Sequence, residues 1–226
     1  MPSVTVENYL KQVCLEQSRR GGDELVPMGR LAEAVGVTPG TATTMVKSLA
    51  EADLLRYAPR AGVELTPAGR RLAHRVLRRH RLVELFLVEV LHMDWSEVHE
   101  EAEELEHTIS DKVLDRIDEL LGHPATDPHG SPIPRADQPL IREDSVALAS
   151  APVEQTLTVT RIVDHDPEFL RFAEANGLMP GAKTRITQHL PHADAVTVET
   201  ENHEPVTLGL AAAARVLVQS EDDDVT

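Results

Sequence analysis

Residues 28–52, MGRLAEAVGVTPGTATTMVKSLAEA, decide the fold class. A short helix ending near Val35 carries Leu31, Ala32 and Val35 on one face. The run Gly36 to Gly40 makes a tight turn, and a second helix opens at Pro39 and runs to about Ala52 with Val46 and Leu49 inward. Helix, glycine-containing turn, helix is the pattern of a helix-turn-helix, whose second helix enters a DNA major groove. Upstream, the spacing predicts a helix from about Thr5 to Arg20 with Val6, Leu10, Val13 and Cys14 on one face, stopped by Gly21 and Gly22. Downstream, Leu54–Tyr57 and Val63–Thr66 flank Pro59–Gly62, which reads as a hairpin with Arg60 at its tip, a wing. The polar side of this module nominates Arg30, Thr38, Pro39, Gly40, Thr41, Thr43, Thr44, Lys47 and Arg60 as DNA contacts. Threonine can meet phosphates, base edges and the thymine methyl, while Arg and Lys attract phosphate. The same face would also serve a protein contact. With no bidentate Arg or Gln at the start of the second helix, direct base readout is expected to be modest and DNA shape to matter more.

The charge distribution agrees with a local polyanion contact. Residues 1–82 carry 13 Lys+Arg against 8 Asp+Glu, while residues 83–226 carry 9 against 30, which together make the net −16 of the 226-residue chain. A basic N-terminal third on an acidic protein favours one specific contact over general adhesion to nucleic acid. The single cysteine, Cys14, excludes an internal disulfide and a CxxC zinc site. No secretory signal and no apolar run of bilayer length is visible, so a cytoplasmic protein is expected.

Thr66-Pro67 starts a long helix through Arg70, Arg71, Arg75, Arg78, Arg79 and His80 to about Met93, its second half apolar from Leu82 to Leu91. A further helix is predicted from about Ser96 to His107. In it His99, Glu103, Glu106 and His107, at offsets of four, seven and eight, share one face and offer nitrogen and oxygen donors to a divalent metal. The alternatives are a solvated acidic face with two incidental histidines, or a metal-dependent hydrolase with Glu106 as base. Ser110 and Asp111 cap another helix, and six prolines in residues 122–155 forbid a continuous helix there. From about Thr156 short alternating strands, interrupted by a helix over Pro167 to Asn176, predict a small β-barrel.

This order resembles the diphtheria-toxin-repressor family of iron- and manganese-dependent transcriptional regulators. The specific stretches are Arg79–Glu84, Val98–His107 with Ile109–Asp111, the linker motif Asp127-Pro-His-Gly-Ser-Pro-Ile-Pro134, and Gly177–Gly181. The resemblance implies a mainly α fold with a small β part. Its expected domains are a winged helix-turn-helix over 1–72, a helical dimerisation and metal-binding domain over 73–140, a linker over 141–155, an SH3-like barrel over 156–220 and an acidic tail over 221–226. It further implies a homodimer that binds Mn(II) or Fe(II) and an operator in double-stranded DNA, repressing metal-uptake genes.

Carried over residue by residue, the regulatory site would take Glu103, Glu106 and His107 with Asn8 from the first helix, Glu7 being the substitute for that neutral amide. Iron-responsive members place cysteine at the position of Glu103, so the oxygen-rich set favours manganese. A second site would use His80, Glu84 and His99, with Asp166 and Glu168 as oxygen donors from the SH3-like domain. Lys11 stands where manganese-type members have a further carboxylate. The remaining histidines, His129 and His165 among them, are expected to be ordinary.

Overall fold

The computed structural model describes residues 3–20, 22, 24–135 and 145–220. These form two compact units.

The first unit is built on residues 1–80 and Glu106–Ile109. Helix α1 (Val4–Arg19) starts at Ser3, whose hydroxyl accepts the Val6 N–H, and buries Leu10, Val13 and Cys14. Gln17 is buried with them because its side-chain carbonyl accepts the Leu65 N–H at 3.2 Å. Helices α2 (Met28–Ala34) and α3 (Pro39–Glu51) make the helix-turn-helix. Thr38 caps α3 by accepting the Thr41 N–H, and Pro39 stands at its first turn, where a missing N–H costs nothing. Strands β1 (Leu55–Ala58) and β2 (Gly62–Leu65) pair antiparallel, Leu55 with Leu65 and Ala58 with Gly62, to form the wing. Arg60 turns its tip at φ +66°. A Cβ on Gly62 would lie 2.5 Å from the Val26 carbonyl oxygen, so only glycine lets the wing pack against residues 25 and 26. Helix α4 (Pro67–Glu89) begins where the Thr66 hydroxyl accepts the Gly69 N–H, and its stretch to His80 buries Ala73, Val76 and Leu77.

The second unit takes α4 from Arg81 onward, Arg81–Leu105, Ser110–Ile133 and the C-terminal residues. Helix α5 (Val98–Leu105) is shorter than the spacing predicted. Glu106 and His107 lie in the turn after it, so the four side chains do not line one helical face. Thr108 and Ile109 are β-branched, and Ser110 caps α6 (Asp111–Leu120) by accepting the Val113 N–H, so the chain must leave the α5 axis first. Leu82, Val83 and Leu87 in the apolar half of α4 are buried within the chain, whereas Val90, Leu91, Leu105, Val113 and Leu120 stay exposed.

The C-terminal strands are β3 (Val146–Ala147), β4 (Leu157–Ile162), β5 (Lys183–Leu190), β6 (Ala195–Thr200), β7 (Val206–Gly209) and β8 (Val216–Ser220), with helices α7 (Pro167–Ala175) and α8 (Leu210–Ala213) between them. Their order is β3-β8-β4-β5-β6-β7, an open sheet and not the barrel expected. The edge strands are short and do not meet, and β4 pairs with β5 only at Leu157–Thr184 and Thr158–Lys183. Leu170, Ile186, Val198 and Val218 fill its core together with Trp95, whose indole N–H donates to Glu174 at 3.2 Å.

The proline-rich segment is a packed turn in its described part. Asp127 Oδ1 accepts the N–H groups of His129 and Ser131, both at 2.9 Å, and the His129 carbonyl accepts the Ile162 N–H. The expected linker over 141–155 is described only from residue 145, and the acidic tail at 221–226 lies outside the described residues. Among the described residues no helix is long and apolar enough to cross a membrane.

Candidate metal centres and DNA-binding face

In the first unit α1 faces α4 at Arg79 and His80 and the turn at Glu106 and His107. Glu106 is fully buried, and its two oxygens accept from the Lys11 ammonium at 3.0 and 2.9 Å. His80 Nδ1 donates to Glu106 Oε2 at 2.8 Å. Burial pushes the Glu106 carboxyl up. The hydrogen bond from His80 and the charges of Lys11 and His80 outweigh it, so the group is held below the ordinary carboxylate range.

His107 is oriented by Glu7, whose Oε2 lies 2.8 Å from Nδ1. A carboxylate only accepts, so the proton sits on Nδ1 and the neutral ring has its lone pair at Nε2. That atom is buried without a hydrogen-bond partner, 3.3 Å from Glu106 Oε1. Two lone-pair atoms facing each other at this distance call for a positive charge between them. Asn8 Oδ1 is also buried with no hydrogen-bond partner. Glu7 holds His107 and lies 3.6 Å from Arg79, whereas Asn8 Oδ1 accepts no hydrogen bond. The orphaned nitrogen, the orphaned amide oxygen and the buried carboxylate suit a divalent cation.

In the second unit the side chains gather around Glu84, also fully buried. Glu84 Oε1 lies 3.2 Å from His99 Nδ1, and His99 Nε2 lies 3.7 Å from Glu103. The His165 ring stacks on His99 with centroids 4.0 Å apart. Candidate ligand atoms of Glu84, His99 and His165 lie within 4.8 Å of one another, as do those of Glu84, Asp127 and His129. His129 Nε2 donates to the Trp95 carbonyl at 3.0 Å, which leaves its Nδ1, buried and without a hydrogen-bond partner, 3.9 Å from Glu84 Oε2. Burial and then the charge of Glu84 push the Asp127 carboxyl up, against the pull of Arg81 and His129.

The predicted residues thus divide. Glu106, His107 and His80 meet in the first unit, where Asn8 Oδ1 is also buried, and Glu84, His99 and Glu103 gather in the second. Asp166 and Glu168 join neither, because both are exposed and Asp166 Oδ1 caps α7 by accepting the Glu168 N–H at 3.1 Å. His165, next in sequence, turns inward instead. Helical spacing does not single out Asp127, His129 and His165; the motif at Asp127–Pro134 is a signal for the first two, although its prolines read as a linker.

On α3, Thr38, Pro39, Gly40, Thr41, Thr44 and Lys47 are exposed and Thr43 is half-buried. The Thr43 and Thr44 hydroxyls donate to the carbonyls of Pro39 and Gly40 at 2.7 and 3.1 Å, so their hydrogens are engaged within the helix. Arg60 projects from the wing tip, and Arg30 is paired with Glu33 at 2.9 Å.

The chain matches three family models: the iron dependent repressor N-terminal DNA binding domain over residues 1–63, the iron dependent repressor metal binding and dimerisation domain over 66–135, and the FeoA domain over 146–220. It is 32% identical to the iron-dependent repressor IdeR of Mycobacterium tuberculosis over 229 aligned residues, 95% of this chain and 96% of that protein. A structure of a manganese-dependent transcriptional repressor in complex with manganese is 37% identical, with a TM-score of 0.86 over 95% of this chain and 99% of that one. ScaR with bound Cd2+ is 31% identical, with a TM-score of 0.80 over 96% and 99%.

Proposed function

From the premise that the chain belongs to the family of iron-dependent repressors, we infer a metal-activated transcriptional repressor that binds an operator in double-stranded DNA as a homodimer, with Mn(II) or Fe(II) as effector. The relatives are transcriptional repressors, which favours this reading over the hydrolase one. The observation that carries the metal reading is the orphaned His107 Nε2, buried 3.3 Å from Glu106 Oε1, with a second orphaned buried atom, Asn8 Oδ1, on α1.

Glu106, His107 and Asn8 would hold the activating ion, and Glu103, beside His99 in the second unit, is the carboxylate that the resemblance makes the one setting metal preference. A bound divalent ion supplies two positive charges and directional bonds to oxygen and nitrogen. Glu7 keeps the His107 proton on Nδ1 and so presents the Nε2 lone pair. Asn8 and Glu7 are adjacent on α1, so a ligated Asn8 ties the first helix of the DNA-binding module to the turn at Glu106. Glu84, with His99 and His165 on one side and Asp127 and His129 on the other, supports a second metal position. DNA and metal then strengthen each other by the same coupling free energy. On the DNA side Lys47 and Arg60 contribute phosphate attraction, and the α3 threonine methyls meet base edges. Such a regulator works in the cytoplasm, where its operator is. The deciding experiment measures operator binding against added Mn2+, Fe2+, Co2+ and Zn2+, with a chelator control. Binding that ignores both metal and chelator would refute the reading.

A further inference from the structure

Lys11 lies one turn after Glu7 on α1 and is 2% exposed, while Glu106 is 0% exposed. Its ammonium is 3.0 and 2.9 Å from the two Glu106 oxygens and 3.3 Å from His80 Nδ1. Hard oxygen donors and exclusion from solvent make a metal-like environment, and here a side chain fills it. Such an ammonium is tolerated only because a carboxylate compensates it, and the carboxylate depends equally on the ammonium.

We infer that the Lys11 ammonium is a tethered cation that holds a cation position served by the Glu106 carboxylate, so that a divalent ion entering at Glu106 and His107 competes with it for that carboxylate. This rests on the reading of Glu106 and His107 as metal donors. Three consequences follow. The metal-free protein keeps Glu106 compensated and stays folded. The metal affinity of the centre is the difference between what the ion and what Lys11 gain from Glu106, so an ion that binds carboxylate weakly fails to activate. The centre also holds one divalent ion fewer than a carboxylate at position 11 would allow.

The test compares the full-length wild type with Lys11→Met, which keeps the apolar stem and removes the charge, and with Lys11→Glu. Calorimetric titration with Mn2+ and thermal melting with and without Mn2+ are the readouts. Lys11→Met should melt lower than wild type without metal, gain more in Tm on adding Mn2+, and bind Mn2+ about tenfold more tightly or better, the lower end of what partners of metal ligands contribute. Lys11→Glu should take up one more Mn2+ per chain. Equal Tm gains and equal affinities in wild type and Lys11→Met would overturn the inference and leave Lys11 a structural ion-pair partner. If Lys11→Met does not fold without metal, refolding in Mn2+ decides: recovery supports the tethered cation and no recovery overturns it. A wild type that binds no Mn2+ would overturn the metal-centre reading itself, and this inference with it.

Discussion

Replacing Glu7 tests the orientation of His107 without touching a proposed ligand. The bond from His107 Nδ1 to Glu7 Oε2 is 2.8 Å long, and the two side chains are only 9% and 10% exposed, so solvent screens it little. Hydrogen bonds to charged groups contribute about 1.5–3 kcal/mol. Glu7→Gln keeps an accepting oxygen and loses the charge, which puts it at the low end, a weakening of Mn2+ binding of about tenfold at 1.4 kcal/mol per decade. Glu7→Ala also frees the imidazole to turn and leaves Arg79 without the carboxylate 3.6 Å away, so it belongs near the upper end, about 100-fold. Calorimetric Mn2+ titration of the three proteins, with a circular dichroism melt to confirm folding, measures both. If folded Glu7→Ala binds Mn2+ within a factor of two of wild type, Glu7 does not set the His107 tautomer and the argument from the orphaned Nε2 fails.

His107→Ala should abolish metal-dependent operator binding while sedimentation still shows a dimer; an unchanged metal requirement would remove His107 from the site. Glu103→Cys should shift half-maximal activation from Mn2+ toward Fe2+, Co2+ or Zn2+, because a soft sulfur donor favours them, and the same metal ranking in both proteins would show that Glu103 does not set selectivity. Operator affinity should fall with salt by a log–log slope of about −0.9 per phosphate contacted; a flat salt dependence would contradict the DNA reading. Glu106 is held below the ordinary carboxylate range, so its contribution to stability is full above the unfolded value of about 4.3 and is lost as pH falls through the lower native value. Glu106→Gln should remove that part of the acid limb of unfolding free energy against pH, and curves for the two proteins that run parallel below about pH 4.3 would refute it.

The helix-turn-helix and wing were legible because local signals agreed. Thr38 and Pro39 start α3 as the cap and first-turn rules require, and the turn between Ala58 and Gly62 closes the hairpin where the glycine predicted it. Periodicity over-extended α5, because it counts residue types and not exits. Nothing in Glu106 and His107 resists helix, and the break comes from Ser110 committing its hydroxyl to the next helix. Barrel closure was not legible for a related reason. Alternation identifies strands, but whether β3 and β7 meet depends on how far β4 and β5 remain paired, which is two positions.

At the site, residue type was readable and protonation geometry was not. Spacing offered Glu106 and His107 as donors, yet which nitrogen of His107 carries the lone pair is decided by Glu7, 100 residues earlier in the chain. Asn8 and Glu7 looked interchangeable in sequence, and they part only when one is seen to hold an imidazole proton while the other keeps a buried oxygen without a donor. His129 shows the same logic in the second unit. In sequence it belongs to a turn, and the turn does use its backbone N–H, but the bond from its Nε2 to the Trp95 carbonyl aims the other nitrogen at Glu84. A donor atom is made available by what its neighbours take up, so the functional residues invisible to spacing, Lys11 and His129 above all, are those whose partners lie far along the chain.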